Sequence, residues 1–193
     1  MAKLVAILGS VTPPGRMLTA LNGAMERARS AHAGVETDLI NLADCRVAFA
    51  DGRPPEQYND DTASIVTRVR DADAVILSSP VYRASYTGAL KNLLDHLPIE
   101  TLASKPVGIV AMGATPHHYL GVDWQLREVL TWFGSIVPPS SVYLVSADFV
   151  QGVLSDTASA ELDSLVRALL KLTEVVPPKG EYLGPRPLAA RRG

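Results

Sequence analysis

The stretch LSSPVYRASYTGALKNLLDHL, Leu77 to Leu97, decides how the chain is read. It opens at the end of an apolar run, Ala74–Leu77, turns through a polar segment holding Pro80, and then takes up helical spacing. An apolar run, a loop of small and hydroxyl residues, then a helix is the repeating unit of a parallel sheet, because parallel strands need a crossover that is usually helical. Two tyrosines, Tyr82 and Tyr86, stand where the loop meets the helix. Aromatics in such a place serve either as a wall for a ligand or as an amphipathic surface for another subunit.

The same unit recurs on both sides of this stretch. Apolar runs rich in branched residues lie at Leu4–Leu8, Val35–Ile40, Val107–Met112 and Val142–Val145. Helical periodicity marks Gly15–Ser30, Asn59–Asp71, Thr87–Leu97, His118–Phe133 and Ser155–Glu174. Strand then helix, five times over, predicts an α/β fold with a parallel sheet and helices on both faces; continuous apolar strands fit burial on both sides. Leu42–Tyr58 lacks a clean period and carries Pro54–Pro55, so it reads as a loop. Pro138–Pro139 break the approach to the last strand, which a sheet edge tolerates but its middle would not. From Pro177 onward no period survives. The organisation expected is one domain over residues 1–176 and a flexible tail, or an arm on a neighbouring subunit, over 177–193.

Composition bounds the function. The 193 residues are 47% hydrophobic and 20% charged, ordinary for a globular chain able to bury one core. A formal net charge of −2 argues against nucleic-acid or membrane-surface binding, which calls for a concentrated basic face. The apolar run near the N-terminus is too short to span a membrane and lacks a cleavage pattern, so a cytoplasmic protein is expected. Cys45 is the single cysteine; with no activating neighbour in sequence it reads as a packed or loop thiol.

In an open parallel sheet, ligands bind beyond the carboxyl ends of the strands. Three loops fall there. Gly9–Met17 leads into a helix and carries Ser10, Thr12 and Arg16, two hydroxyls and a guanidinium suited to a phosphate monoester. It is neither a Walker loop nor the spaced-glycine dinucleotide fingerprint. The loop after the third strand presents Pro80, Val81, Tyr82, Ser85, Tyr86 and Gly88, a wall for a flat heteroaromatic ring with backbone amides at its polar edge. After the fourth strand, Gly113 and Thr115 allow close backbone approach, and His117 and His118 begin a helix without the further ligands a zinc site needs. Asp95 and Asp123 fall in helices and read as ion-pairing or capping residues. With no catalytic triad or paired carboxylates defined by spacing, a bound cofactor is the natural carrier of the chemistry.

The segments SSPVYRASYTGALKNLLDHLP and KPVGIVAMGATPHHYLGVDWQLREVL resemble the NAD(P)H-dependent FMN reductases of the flavodoxin-like superfamily, most closely the branch that supplies reduced flavin to alkanesulfonate monooxygenases. The resemblance runs from about Lys3 to Glu174. It implies a flavodoxin-like three-layer sandwich with a five-stranded sheet of order 2-1-3-4-5. It also implies FMN and NADPH or NADH as cofactor and substrate, a homotetramer built as a dimer of dimers, and a flavin-dependent monooxygenase as partner. By the same resemblance Ser10, Thr12, Arg16 and Met17 belong to the FMN phosphate site. Pro80, Val81, Tyr82 and Ser85 lie beside the ring, and Gly113, Ala114 and Thr115 close the other side. The family's Gly-Ser-x-Arg pattern is broken, because Thr12 stands where an arginine is usual, removing one cationic contact. Trp124 matches the residue that relatives insert as a π-bulge at a tetramer interface, with Tyr86 and His118 on the same boundary. Two other functions compete: a quinone or azo reductase that keeps FMN bound, and a flavodoxin-type electron carrier.

Overall fold

The computed structural model describes residues 1–12, 15–179 and 181–191. Pro13 and Pro14 of the first loop, and Gly180, Arg192 and Gly193 of the tail, lie outside the described residues. Five strands, β1 (Ala2–Leu8), β2 (Val35–Asn41), β3 (Ala74–Pro80), β4 (Val107–Gly113) and β5 (Val142–Val145), form one sheet. Its order is β2-β1-β3-β4-β5, and every pairing is parallel. The crossovers are α1 (Arg16–Ala31), α2 (Thr62–Asp71), α3 (Gly88–His96) and α4 (Tyr119–Phe133), and α5 (Asp156–Thr173) follows the last strand. The parallel sheet is what the alternation predicts, and its order is the flavodoxin-like one that the resemblance implies.

Alternate strand residues point to opposite faces, which explains why the strands read as unbroken apolar runs. Val5, Ile7, Val75, Leu77 and Ile109 pack with Ile65 and Val69 of α2, Leu90 and Leu94 of α3, and Leu126 and Leu130 of α4. Their neighbours Leu4, Ala6, Ile76, Val110 and Leu144 pack with Leu21 and Met25 of α1 and Leu162, Leu165 and Leu169 of α5. One sheet thus serves two cores, and β5, approached through Pro138–Pro139, is an edge strand.

Three departures from the sequence reading have identifiable causes. The second helix starts at Thr62 and not at Asn59, because Asp60 turns its carboxylate on the Thr62 N–H (2.9 Å) and the Ala48 N–H (2.7 Å). Phe149–Val150 and Val153–Leu154 form a hairpin, β6 and β7, around Gln151 and Gly152, both at positive φ (51° and 83°). The two-residue, glycine-bearing turn between apolar pairs is its sequence signal. The third departure corrects the expected π-bulge at Trp124, since α4 is α-helical from Tyr119 to Phe133. The buried stripe Val122, Leu126, Leu130 and Phe133 keeps the ordinary helical period, and the Asp123–Arg127 pair (2.9 Å) closes a normal i,i+4 turn across Trp124. No extra residue has to be accommodated.

Leu42–Tyr58 has only two short 3-10 turns, yet α3 holds it. Asn92 donates to the Ala48 carbonyl (2.9 Å) and accepts from the Ala50 N–H (3.0 Å), and His96 Nε2 meets the same Ala48 carbonyl at 2.8 Å. Described residues of the segment after Pro177 bind the chain's own body at the amino end of the sheet. Lys179 pairs with Asp73 (2.8 Å), and the Leu183 N–H donates to Ser104 Oγ (2.6 Å).

Candidate functional site

At the carboxyl end of the sheet the loops after β1 and β3 are locked together before any ligand is considered. The Gly9 N–H donates to the Ser78 carbonyl at 2.7 Å, and Ser78 Oγ donates to the Ile7 carbonyl at 2.7 Å. Position 9 has to be glycine, because a Cβ there would sit 2.7 Å from Leu90 Cβ and 2.9 Å from the Ser78 carbonyl oxygen. Thr87 caps α3 by accepting from the Leu90 N–H (3.2 Å), while its hydroxyl donates to the Gly9 carbonyl and its N–H reaches Ser79 Oγ at 3.0 Å. The buried hydroxyls of Ser78, Ser79 and Thr87 therefore set the geometry of the loops.

Above this lock lies a cleft of about 330 Å³ lined by Ser10, Thr12, Arg16, Met17, Pro80 and Tyr82, together with Leu8, Gly15, Leu18, Asn41 and Met112. Ser10 Oγ and Thr12 Oγ1 are 2.8 Å apart, and the Thr12 N–H donates to Ser10 Oγ at 3.3 Å. Arg16 spans the cleft to the loop after β5, donating from Nη1 to Ser146 Oγ at 2.8 Å, with its guanidinium 5.9 Å from the Phe149 ring centroid. Whereas α3 and α5 are capped by Thr87 and Ser155, α1 begins at Gly15 with no side-chain cap among the described residues. Its first-turn N–H groups and the positive end of its dipole are therefore left to whatever occupies the cleft, an arrangement that favours an anion.

The loop after β3 is shaped by a two-residue turn. Tyr82 and Ser85 exchange backbone hydrogen bonds (2.7 and 3.0 Å), which places Arg83 and Ala84 at φ 51° and 63°. Neither is glycine, so each carries strain of roughly 1–3 kcal/mol. From α4, Gln125 holds the turn by donating to the Ala84 carbonyl (3.2 Å) and accepting from Ser85 Oγ. Gly121 makes room for the same carbonyl, since a Cβ there would lie 3.2 Å from it.

Six of the residues singled out in the sequence thus meet around one cleft. Five others stand nearby without lining it. Val81 packs on the core and donates its N–H to the Met112 carbonyl (2.8 Å), and Ser85 is bound to Gln125. Gly113 lies under Tyr143, whose hydroxyl oxygen would be 1.9 Å from a Cβ at 113 and donates to the Thr115 carbonyl at 2.8 Å; Ala114 is exposed beside them. The N–H groups of Val81 and Tyr82 are bonded within the protein, so they do not supply the polar-edge amides expected of this loop. Asn41 and Met112 escaped the sequence reading because both end ordinary strands; only the sheet order brings them beside Ser10. Tyr119, Leu120, Trp124 and Trp132 are each exposed on α4, and half-buried Tyr86 packs against the core, with His118 exposed at the helix start.

Cys45 donates its thiol to the Asn41 carbonyl (3.3 Å), and burial, reinforced by Asp61, pushes it up from the usual thiol range, away from the nucleophilic thiolate. Asp95 and Asp123 pair with Lys91 and Arg127 at 2.6 and 2.9 Å. Among the described residues no three of His, Cys, Asp and Glu gather in a way that could hold a metal ion, and no helix is long and apolar enough to cross a membrane.

Comparison with known proteins agrees with this architecture. The family model for NADPH-dependent FMN reductase matches residues 2–149. The NADH-dependent FMN reductase SfnF of Pseudomonas fluorescens is 33% identical over 147 residues, 76% of this chain and 78% of that protein. A NAD(P)H-dependent FAD/FMN reductase of Geobacillus thermodenitrificans is 40% identical over 109 residues, 56% of this chain and 59% of that protein. Among solved structures, the apo form of the NADH:FMN oxidoreductase EMOB superposes with a TM-score of 0.76 at 26% identity, covering 97% of this chain and 98% of that one.

Proposed function

The chain belongs to the NADPH-dependent FMN reductase family and is an NAD(P)H:FMN oxidoreductase; from that premise we propose that it releases reduced FMN to a flavin-dependent monooxygenase in the cytoplasm. The observation that carries this reading is the cleft itself. It is open to solvent, walled on one side by a Tyr82 ring that is 47% exposed, and offers one guanidinium, that of Arg16, to a phosphate. A site with a single cationic contact and an exposed wall suits a flavin that comes and goes.

The residues present fit FMN. The uncapped start of α1, Ser10, Thr12 and Arg16 form a donor set for its phosphate, and Met17 lies against the same segment. Pro80 and Tyr82, which line the cleft, make the ring side; Val81, Ser85, Gly113, Ala114 and Thr115 do not line it and act on the ring only by shaping the loops around it. When bound, FMN supplies the ring that accepts hydride from NADH or NADPH. The protein's part is to hold that ring against Pro80 and Tyr82 with its outer face free for the nicotinamide, so that placement does the work of an acid or base.

Assembly is part of the same reading. Trp124 (63% exposed) and Trp132 (54%) on α4, with Tyr119 and Leu120, offer an apolar surface for a homotetramer built as a dimer of dimers. His118 and Tyr86 flank it.

The test is the visible spectrum of the purified protein with NAD(P)H oxidation measured with and without added FMN. A nearly colourless protein with FMN-dependent turnover and sequential kinetics supports release. Stoichiometric flavin with ping-pong reduction of a quinone or azo dye would replace the reading with a flavin-retaining reductase. Light scattering checks the assembly; a monodisperse monomer at micromolar concentration refutes the tetramer.

A further inference from the structure

We propose that Arg83 binds the nucleotide by taking a phosphate of NAD(P)H at the mouth of the cleft. The inference rests on the reading of the protein as an NAD(P)H-dependent FMN reductase. It begins from the turn. Arg83 and Ala84 are successive non-glycine residues at positive φ, where asparagine or glycine is the ordinary choice. Turn chemistry does not account for an arginine here. Gln125, Gly121 and the Tyr82–Ser85 backbone pair nevertheless hold the conformation from two elements, and strain that is over-determined by its surroundings marks a functional position.

The second observation concerns charge. Arg83 is exposed and makes no ion pair or side-chain hydrogen bond among the described residues. Near this end of the sheet Arg16 is engaged with Ser146, Arg53 with Asp51 and Arg127 with Asp123; Arg46, on the loop after β2, is exposed as Arg83 is, but neither of its chain neighbours lines the cleft. Arg83 is the neighbour of Tyr82, whose exposed ring lines the cleft. A cleft of about 330 Å³ suits one flavin-sized ligand, so the hydride donor has to lie across its mouth. That donor carries a pyrophosphate, and NADPH a further 2′-phosphate. A guanidinium pairs with either through parallel N–H···O bonds that an ammonium cannot reproduce in full.

The experiment compares wild type with Arg83→Asn, which tolerates positive φ without the charge, and Arg83→Lys, which keeps the charge. KM and kcat are measured for NADPH and NADH at saturating FMN, with the FMN dissociation constant and thermal midpoint measured for each protein. The expected result is a rise in KM of about 10-fold or more in Arg83→Asn, with kcat, FMN affinity and thermal midpoint close to wild type, and a smaller rise in Arg83→Lys. A rise confined to NADPH identifies the 2′-phosphate; equal rises for both nucleotides identify the pyrophosphate. Unchanged KM values for both, or a loss of FMN affinity in their place, overturn the proposal and leave the reductase reading intact. If Arg83→Asn loses its fold, a wild-type KM for both nucleotides in Arg83→Lys that does not rise with salt overturns it equally. A wild-type protein that oxidises neither nucleotide in the presence of FMN overturns both readings together.

Discussion

The two ends of the sheet are built from the same strands and treat polar groups in opposite ways. At the amino end charged groups are tied up. Lys105, 5% exposed, donates to the Val69 and Arg70 carbonyls at 2.6 and 2.9 Å and so caps the last turn of α2. Asp73 accepts from the Lys3 N–H (2.7 Å) and pairs with Lys179 (2.8 Å). Burial works against its charged form, but Lys179 and the backbone donor outweigh it and hold the carboxyl below the usual range. At the carboxyl end α1 has no side-chain cap, Arg83 has no counter-ion among the described residues, and two successive residues are strained. Satisfied charges at one end and available donors at the other separate the part of the sheet that holds the fold from the part that receives a ligand.

The largest effect that would sharpen this contrast is expected from Gly9→Ala. Its new Cβ meets Leu90 and the β3 backbone at once, so stability should fall by about 3 kcal/mol in urea titrations and FMN-dependent turnover should disappear. A wild-type melt would mean the lock between the two loops is softer than its geometry. Arg16→Ala comes next. Loss of a charge-assisted contact should weaken FMN by roughly 1.5–3 kcal/mol, read by fluorescence quenching, while riboflavin, lacking the phosphate, weakens much less. Equal losses for both flavins would remove Arg16 from the phosphate.

Lys105→Met tests the other end. Leaving two helix-terminal carbonyls without their donor should cost about 1–2 kcal/mol of stability, with kcat and both KM values unchanged. A change in turnover would break the division between the ends. The smallest effect is on pH dependence. Burial, with Lys179 adding repulsion and Asp73 and Asp71 opposing it, lowers Lys105 to about 7, against an unfolded value of about 10.4. Between these values the unfolded chain holds a proton that the folded chain does not, so this group makes stability rise with pH across the window; below about pH 7 both states are protonated and it contributes no slope. The gain between about pH 7 and 8 is about 1 kcal/mol, and Lys105→Met should lack it in otherwise identical denaturation series.

Much of this was legible in the residues. Strand and helix alternation predicted the sheet, and the SSPVYRASYTG segment pointed to its carboxyl end. Ser10, Thr12, Arg16, Met17, Pro80 and Tyr82 converge on one cleft as those loops required. Other features were not legible. The structural role of the Ser79 and Thr87 hydroxyls could not be read, because the groups they bind are 8 and 78 residues away in sequence. The short hairpin at Phe149–Leu154 was too brief to show a period. Trp124 carried a π-bulge only by resemblance, and the regular stripe from Val122 to Phe133 leaves no place for one.

By itself the sequence determined which segments are strands and helices and which loops carry donors, because apolar spacing and turn residues act over a few positions. Tertiary structure alone decided which donors remain available. The order β2-β1-β3-β4-β5 brings Asn41 and Met112 beside Ser10, Gln125 onto a strained turn, and Ser146 onto Arg16. Whether a polar group serves the fold or a ligand depends on what stands within about 3 Å of it, and that is set by packing between segments far apart in the chain.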